Sequence, residues 1–244
     1  MRLYLLAGEP SGDRLGAALM AGLKTLRPDI TFDGVAGPLM QAQGMESLFP
    51  MEELSVMGIA EVLPKYPALR RRLQETAADC LAHQPDALIT IDSPDFSLRL
   101  AKLVRQKTAL RTIHYVAPSV WAWRPGRAAK MAAHIDHVLA LLPFEPPYME
   151  AAGMTCDFVG HPVVSEPMAD AAEVTAFRAE TGVGDAPLIL TLPGSRRSEV
   201  ARLAPVFGET LSRVVAERPE ARIVLPAARP VAAAVQEAVQ DWPG

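Results

Sequence analysis

The sequence predicts an α/β fold: a doubly wound, Rossmann-like N-terminal domain on a parallel sheet, then an incomplete second Rossmann-like domain. Three observations predict it. Short apolar runs of strand type alternate with segments whose apolar residues recur at helical spacing. One run, Ala87 to Ile91, is almost unbroken, as in a strand buried on both faces. The runs end in loops rich in Gly, Pro, Ser and Asp, at the strand ends where open α/β sheets bind ligands.

In order, Leu3 to Ala7 reads as a strand and Gly8-Glu9-Pro10-Ser11-Gly12-Asp13 as its loop, with a helical pattern from Gly12 to Arg27 stopped by Pro28. Phe32 to Val35 is a strand and Pro38 to Gly44 a short helix. Met51 to Leu63 is apolar with few charges, and Pro64, Pro67 and Arg70-Arg71-Arg72 follow. Two readings stand for it: a lip beside basic residues that rests on anionic lipid, or core beside a solvated basic face. A helix over Leu69 to His83 precedes the strand Ala87 to Ile91. Helix Phe96 to Gln106, strand Arg111 to Val116, helix Arg127 to His134, strand His137 to Leu141, helix Phe144 to Ala152 and strand Thr155 to Val159 complete the alternation.

Residues 1–164 are thus expected to form the N-terminal domain, 165–187 a linker with one helix, and 188–244 the start of a second domain. In the last, Leu188 to Leu192 and Arg222 to Leu225 read as strands. A helix from Ser198 is reset at Pro205, and another spans Val231 to Gln240. Two strands make a small sheet, so the second domain reads as cut short.

Composition narrows the partners. Twenty-four basic against 28 acidic residues give a formal charge of −4, so no nucleic-acid partner is expected and any anion site is local. Cys80 and Cys156 are far apart without metal-ligand spacing and read as free thiols of a reducing compartment. The N-terminal run is too short for a signal peptide and no apolar stretch is long enough to span a bilayer, which predicts a cytoplasmic protein. A homo-oligomer stays open.

Asp92, delivered by the buried strand into Asp92-Ser93-Pro94-Asp95-Phe96, is the foremost candidate for chemistry. A carboxylate at the edge of such a strand is held rigidly enough to serve as a general base; the alternative is a turn or cap residue. Asp95 is placed to cap the following helix, and a D-x-x-D metal site lacks further ligands nearby. Gly194-Ser195-Arg196 is the better anion site, joining close backbone approach, a hydroxyl, a guanidinium and a helix N-terminus. Ser195 as a cap and Arg196 as a surface residue are the plainer readings.

The first loop looks like a phosphate loop, yet Glu9 and Asp13 would repel an anion. Both suit sugar hydroxyls and amides, so Glu9, Ser11 and Asp13 are read as substrate contacts near Asp92. His114 reads as a packed, hydrogen-bonded histidine, and His161 as either a hinge or a lining residue. The loop bearing Ser119, Trp121 and Trp123 either meets a sugar or an acyl chain or closes the core.

Taken together, Ala7-Gly8-Glu9-Pro10-Ser11-Gly12-Asp13, Gly34-Val35-Ala36-Gly37-Pro38, Met51-Glu52-Glu53-Leu54 with Val56-Met57-Gly58, and Ile91-Asp92-Ser93-Pro94-Asp95-Phe96 closely resemble the lipid-A-disaccharide synthase family. So do His114-Tyr115-Val116 with Pro118-Ser119-Val120-Trp121-Ala122-Trp123, Leu142-Pro143-Phe144-Glu145 and Leu192-Pro193-Gly194-Ser195-Arg196. The resemblance implies a GT-B glycosyltransferase of two Rossmann-like domains, acting without metal or other cofactor. It condenses UDP-2,3-diacylglucosamine with 2,3-diacylglucosamine 1-phosphate (lipid X) at the cytoplasmic face of the Gram-negative inner membrane, an anionic surface. It also implies Asp92 as base and Arg196 as phosphate ligand; the residue reading adds Ser119, Trp121, His161, Gly194 and Ser195 as candidate substrate contacts. Members of the family continue well beyond this stretch, into a uridine-binding part. The rival readings are another GT-B enzyme of UDP-sugars, such as an epimerase, and a non-catalytic lipid-binding fragment.

Overall fold

Six parallel strands in the order β2-β1-β3-β4-β5-β6 carry the first part of the chain. The computed structural model describes residues 1–54, 59–195, 197–227 and 231–243. The chain divides into two compact units, Met1–Glu166 and Pro167–Gly244.

In the first unit, β1 (Arg2–Ala7) is buried from Leu3 onward and runs beside β2 (Thr31–Val35) on one side and β3 (Ala87–Ile91) on the other. All five residues of β3 are buried, which explains a run with no polar alternation. β4 (Arg111–Tyr115), β5 (His137–Ala140) and β6 (Thr155–Phe158) extend the sheet in chain order. The order reverses between β1 and β3: the chain steps one way from β1 to β2, then crosses back to β3 and continues outward. Helices accordingly pack in two sets, α1 (Pro10–Leu26) with α2 (Pro38–Ala42), and α3 (Ile59–His83) with α4 (Pro94–Arg105). α5 (Gly126–Ala132) and α6 (Pro146–Glu150) complete the unit.

Two helices differ from the sequence expectation. α3 begins at Ile59, ten residues before Leu69, and contains Pro64 and Pro67, which withdraw backbone N–H groups without ending it. The apolar stretch Met51 to Leu63 opens with buried Met51 in a 3-10 turn, while its residues 55–58 and the side chains of 59–63 lie outside the described residues. Of the three arginines that follow, Arg70 and Arg71 are exposed. Arg72 is turned inward, donating to Glu53 at 2.6 and 2.7 Å and to Glu75 at 2.8 Å, with its guanidinium over the Phe49 ring. It therefore belongs to the protein's own packing. No described helix is long and apolar enough to cross a membrane.

The second unit holds α7 (Ala171–Thr181), the parallel pair β7 (Leu188–Leu190) and β8 (Arg222–Val224), α8 (Arg197–Glu217) and α9 (Ala232–Ala238). Asp170 and Glu173 close a capping box on α7, and Gly182 in the left-handed region ends it. α8 passes through Pro205 unbroken, where the sequence predicts a reset. Val200, Ala204, Val231 and Val235 form a small core of their own.

His114 on β4 is buried. Its Nδ1 lies 2.8 Å from Thr90 Oγ1, and Nε2 has no partner among the described residues. Burial pushes the ring down to about 4 from 6.5. Between those values the unfolded chain binds the proton that the folded chain refuses, so stability is full above pH 6.5 and falls toward pH 4. The loss amounts to about 3 kcal/mol. Urea unfolding at a series of pH values measures it, and His114→Gln should flatten most of that slope.

Candidate functional site

The crevice of an open α/β sheet lies at the C-terminal strand ends where the strand order reverses. Here that point falls between β1 and β3, and the two turns leaving these strands are stitched together. Ser11 Oγ, in the first turn of α1 just past the β1–α1 turn, donates to Asp92 Oδ2 at 3.1 Å, and Ser93 Oγ, on the β3–α4 turn, donates to Glu9 Oε1 at 3.0 Å. Gly8 makes the approach possible, because a Cβ there would stand 2.9 Å from Ser93 Oγ.

Asp92 follows the last buried residue of β3 and is half-buried. Both it and Ser93 sit in the left-handed region, at φ 53° and 43°, uncommon for residues with side chains. The strained pair is held from several sides. Asp92 N–H donates to Tyr115 C=O at 2.9 Å and Ser97 Oγ donates to Asp92 C=O at 2.7 Å. The carboxylate is thereby fixed in place, with one oxygen accepting from Ser11. No group of three His, Cys, Asp or Glu among the described residues is arranged to hold a metal ion.

Two neighbouring carboxylates have other work. Asp13 is 3% exposed, and its oxygens accept the N–H groups of Leu39 and Met40, both at 2.9 Å. It anchors the start of α2, which replaces the acceptor contact expected from sequence. Asp95 is not the cap of α4: Ser93 holds that position, Pro94 opens the helix, and Asp95 lies in its first turn. Proline is preorganised for the first helical position, and that moves the boundary two residues earlier.

Further along the same sheet edge, Ser119 and Trp121 lie exposed on the loop after β4. Ser119 C=O accepts from the N–H groups of Ala122 and Trp123, which turns the loop. His161, after β6, is exposed and accepts the Val163 N–H at Nδ1, 3.2 Å away. The sequence did not single out Phe144 or Tyr148 as site residues, yet both are exposed beside this loop's strand neighbour β5.

In the second unit Gly194 has φ +123°, and a Cβ there would run into Glu199. Ser195 is exposed and its N–H donates to Glu199 Oε2 at 3.0 Å. A carboxylate already rests where the sequence places an anion. Arg196 lies outside the described residues.

A Rossmann-like six-stranded unit followed by the strands and helices of a second is a fold of the GT-B type. UDP-GlcNAc 2-epimerase from Neisseria meningitidis superposes with a TM-score of 0.67 at 12% identity, covering 99% of this chain and 69% of that one. The corresponding enzyme of Methanocaldococcus jannaschii gives 0.60 at 13% identity, again over 99% and 69%. At these identities the likeness is one of fold. The profile of the family described as lipid-A-disaccharide synthetase matches residues 3–241, and the chain belongs to that family. The lipid-A-disaccharide synthase of Ruegeria pomeroyi is 65% identical over the whole of this chain, and that of Rhodospirillum centenum 52% identical over 99% of it. The chain spans 61% of the length of each.

The role found for Asp13 is testable. Asp13→Ala leaves two backbone N–H groups at the start of α2 without acceptors, one of them at a buried bond. A loss of about 3 kcal/mol in urea unfolding is expected, with Asp13→Asn recovering part of it.

Proposed function

We propose that this chain is the acceptor-side and donor-phosphate part of an inverting glycosyltransferase. The whole protein joins UDP-2,3-diacylglucosamine to 2,3-diacylglucosamine 1-phosphate, giving the lipid A disaccharide 1-phosphate and UDP. The observation that carries the reading is a rigidly held carboxylate, Asp92, at the switch point of a chain in this family. Asp92 takes the proton of the acceptor's 6-hydroxyl while that oxygen attacks the anomeric carbon and the bond to the diphosphate breaks. With Ser11 on one carboxylate oxygen, the other is left to meet the hydroxyl. Glu9, tied to Ser93, lines the same turn.

The leaving diphosphate is assigned to the Gly194-Ser195-Arg196 turn, where Arg196 supplies charge and the start of α8 supplies N–H groups. Binding there has to displace Glu199 from the Ser195 N–H, an exchange of one anion for another. Ser119, Trp121 and His161 extend the acceptor side along the sheet edge. Exposed Arg70 and Arg71, with the half-exposed Tyr66, support a peripheral position on the anionic cytoplasmic face of the inner membrane.

The test joins this chain in register to the remaining C-terminal part of the Ruegeria pomeroyi relative and supplies both lipids. UDP and disaccharide should appear together, and Asp92→Asn should lower turnover about a hundred- to ten-thousandfold. Near-normal turnover in that variant removes Asp92 from the chemistry. Conversion of the donor without acceptor would instead favour an epimerase.

A further inference from the structure

The loop after β4 and helix α6 after β5 leave four aromatic side chains in solvent: Trp121 at 45% exposure, Trp123 at 58%, Phe144 at 47% and Tyr148 at 46%. Such side chains are normally the first to be buried, and a contiguous exposed group of them marks a binding surface. They are ordered on one another. The Trp121 and Phe144 rings meet edge to face with centroids 5.2 Å apart, so Phe144 buttresses Trp121 from behind. Between the loop and α6 lies a depression of about 370 Å³ lined by Val120, Trp121, Ala122, Trp123, Pro125 and Tyr148. That volume falls in the range of about 300 to 1,000 Å³ typical of small-molecule sites.

One wall carries a cation. The Arg124 guanidinium stacks over the Trp123 ring at 4.0 Å, and Arg127 follows one turn later. No carboxylate forms a salt bridge with either among the described residues. Glu145, next to Phe144, is 4% exposed and accepts the Leu142 N–H at 3.0 Å. An apolar hollow with the Arg124 guanidinium stacked on its Trp123 wall, and Arg127 three residues further along the chain, fits a molecule with one apolar chain and an anionic head. A neutral apolar partner would leave the arginines uncompensated, and a flat bilayer would not fill the hollow.

We infer that this depression is an acyl-chain subsite for an anionic lipid. One chain lies among Trp121, Trp123 and Tyr148, and the phosphate pairs with Arg124 and Arg127. The subsite opens on the same sheet edge as Asp92, since β4 neighbours β3 and Tyr115 C=O holds the Asp92 N–H. The inference rests on the proposed function in taking an acylated sugar phosphate as the natural occupant, but its test requires no turnover.

The chain's own tryptophans report on it. Trp242→Phe leaves Trp121 and Trp123 as the only emitters. Dodecyl phosphate, titrated below its aggregation threshold, should shift their emission to the blue with saturation. Dodecyl maltoside, of equal chain and no charge, should bind at least tenfold more weakly. Trp123→Ala and the pair Arg124→Ala with Arg127→Ala should each weaken dodecyl phosphate at least tenfold, with the melting temperature unchanged. Equal binding of the two probes, no saturable shift, a shift only with phosphatidylglycerol vesicles, or indifference to these variants would each overturn it. Failure of the transferase reading shows separately, as absent UDP release with dodecyl phosphate binding intact.

Discussion

The two hydrogen bonds that stitch the β1–α1 turn to the β3–α4 turn are the constraint on which the candidate site depends. Strand order reverses between these strands, so the helices that follow them belong to different packing sets and leave a crevice beyond the paired Ala7 and Ile91. Ser11 to Asp92 and Ser93 to Glu9 close that gap with side chains on both turns acting as donor or acceptor. Each bond contributes only about 1 kcal/mol in the open. Consecutive left-handed residues at Asp92 and Ser93 cost about as much or more. The conformation survives because backbone bonds to Tyr115 and Ser97 act on the same two residues. Strain so supported, at a switch point and carrying a carboxylate, is what makes this turn the candidate site.

Much of this was legible in the residues. The strands of the first sheet are short runs buried on both faces, and burial of that kind leaves a nearly continuous apolar signature that periodicity cannot blur. Asp92 was legible for the same reason, as the polar residue that ends such a run. The start of α3 was not, because Pro64 and Pro67 are strong local stop signals and the helix nonetheless runs through both. Pro205 misled in the same way. Asp13 was misread for a different cause: its partners, Leu39 and Met40, lie 26 and 27 residues away, and no local pattern announces a bond of that span.

The second unit shows the opposite balance. Its loop was singled out from three residues, Gly194-Ser195-Arg196, and the structure adds a competitor those residues do not contain. Glu199, one turn into α8, reaches back to the Ser195 N–H. Negative charge at a helix start is stabilising, so a carboxylate in that place is what an unliganded anion site would recruit. The requirement for glycine at 194 follows from the same contact, since φ +123° and the nearness of Glu199 both exclude a side chain.

The carboxylates of the first loop, which look like an error in a phosphate loop, prove to be its fasteners. Glu9 binds Ser93 and Asp13 binds the start of α2, so each is drawn toward protein. A turn that keeps two carboxylates beside the helix start repels a phosphate. Beside it lie the Ser11 hydroxyl and the Asp92 carboxylate, which the proposed function assigns to a neutral hydroxyl. Along the same edge the aromatic hollow and its arginines are suited to the apolar and anionic ends of a lipid. On the proposed reading, the sheet edge separates chemistry by strand: proton transfer at β1 and β3, where side chains stitch the turns together, and lipid recognition at β4 and β5, where the loops are exposed.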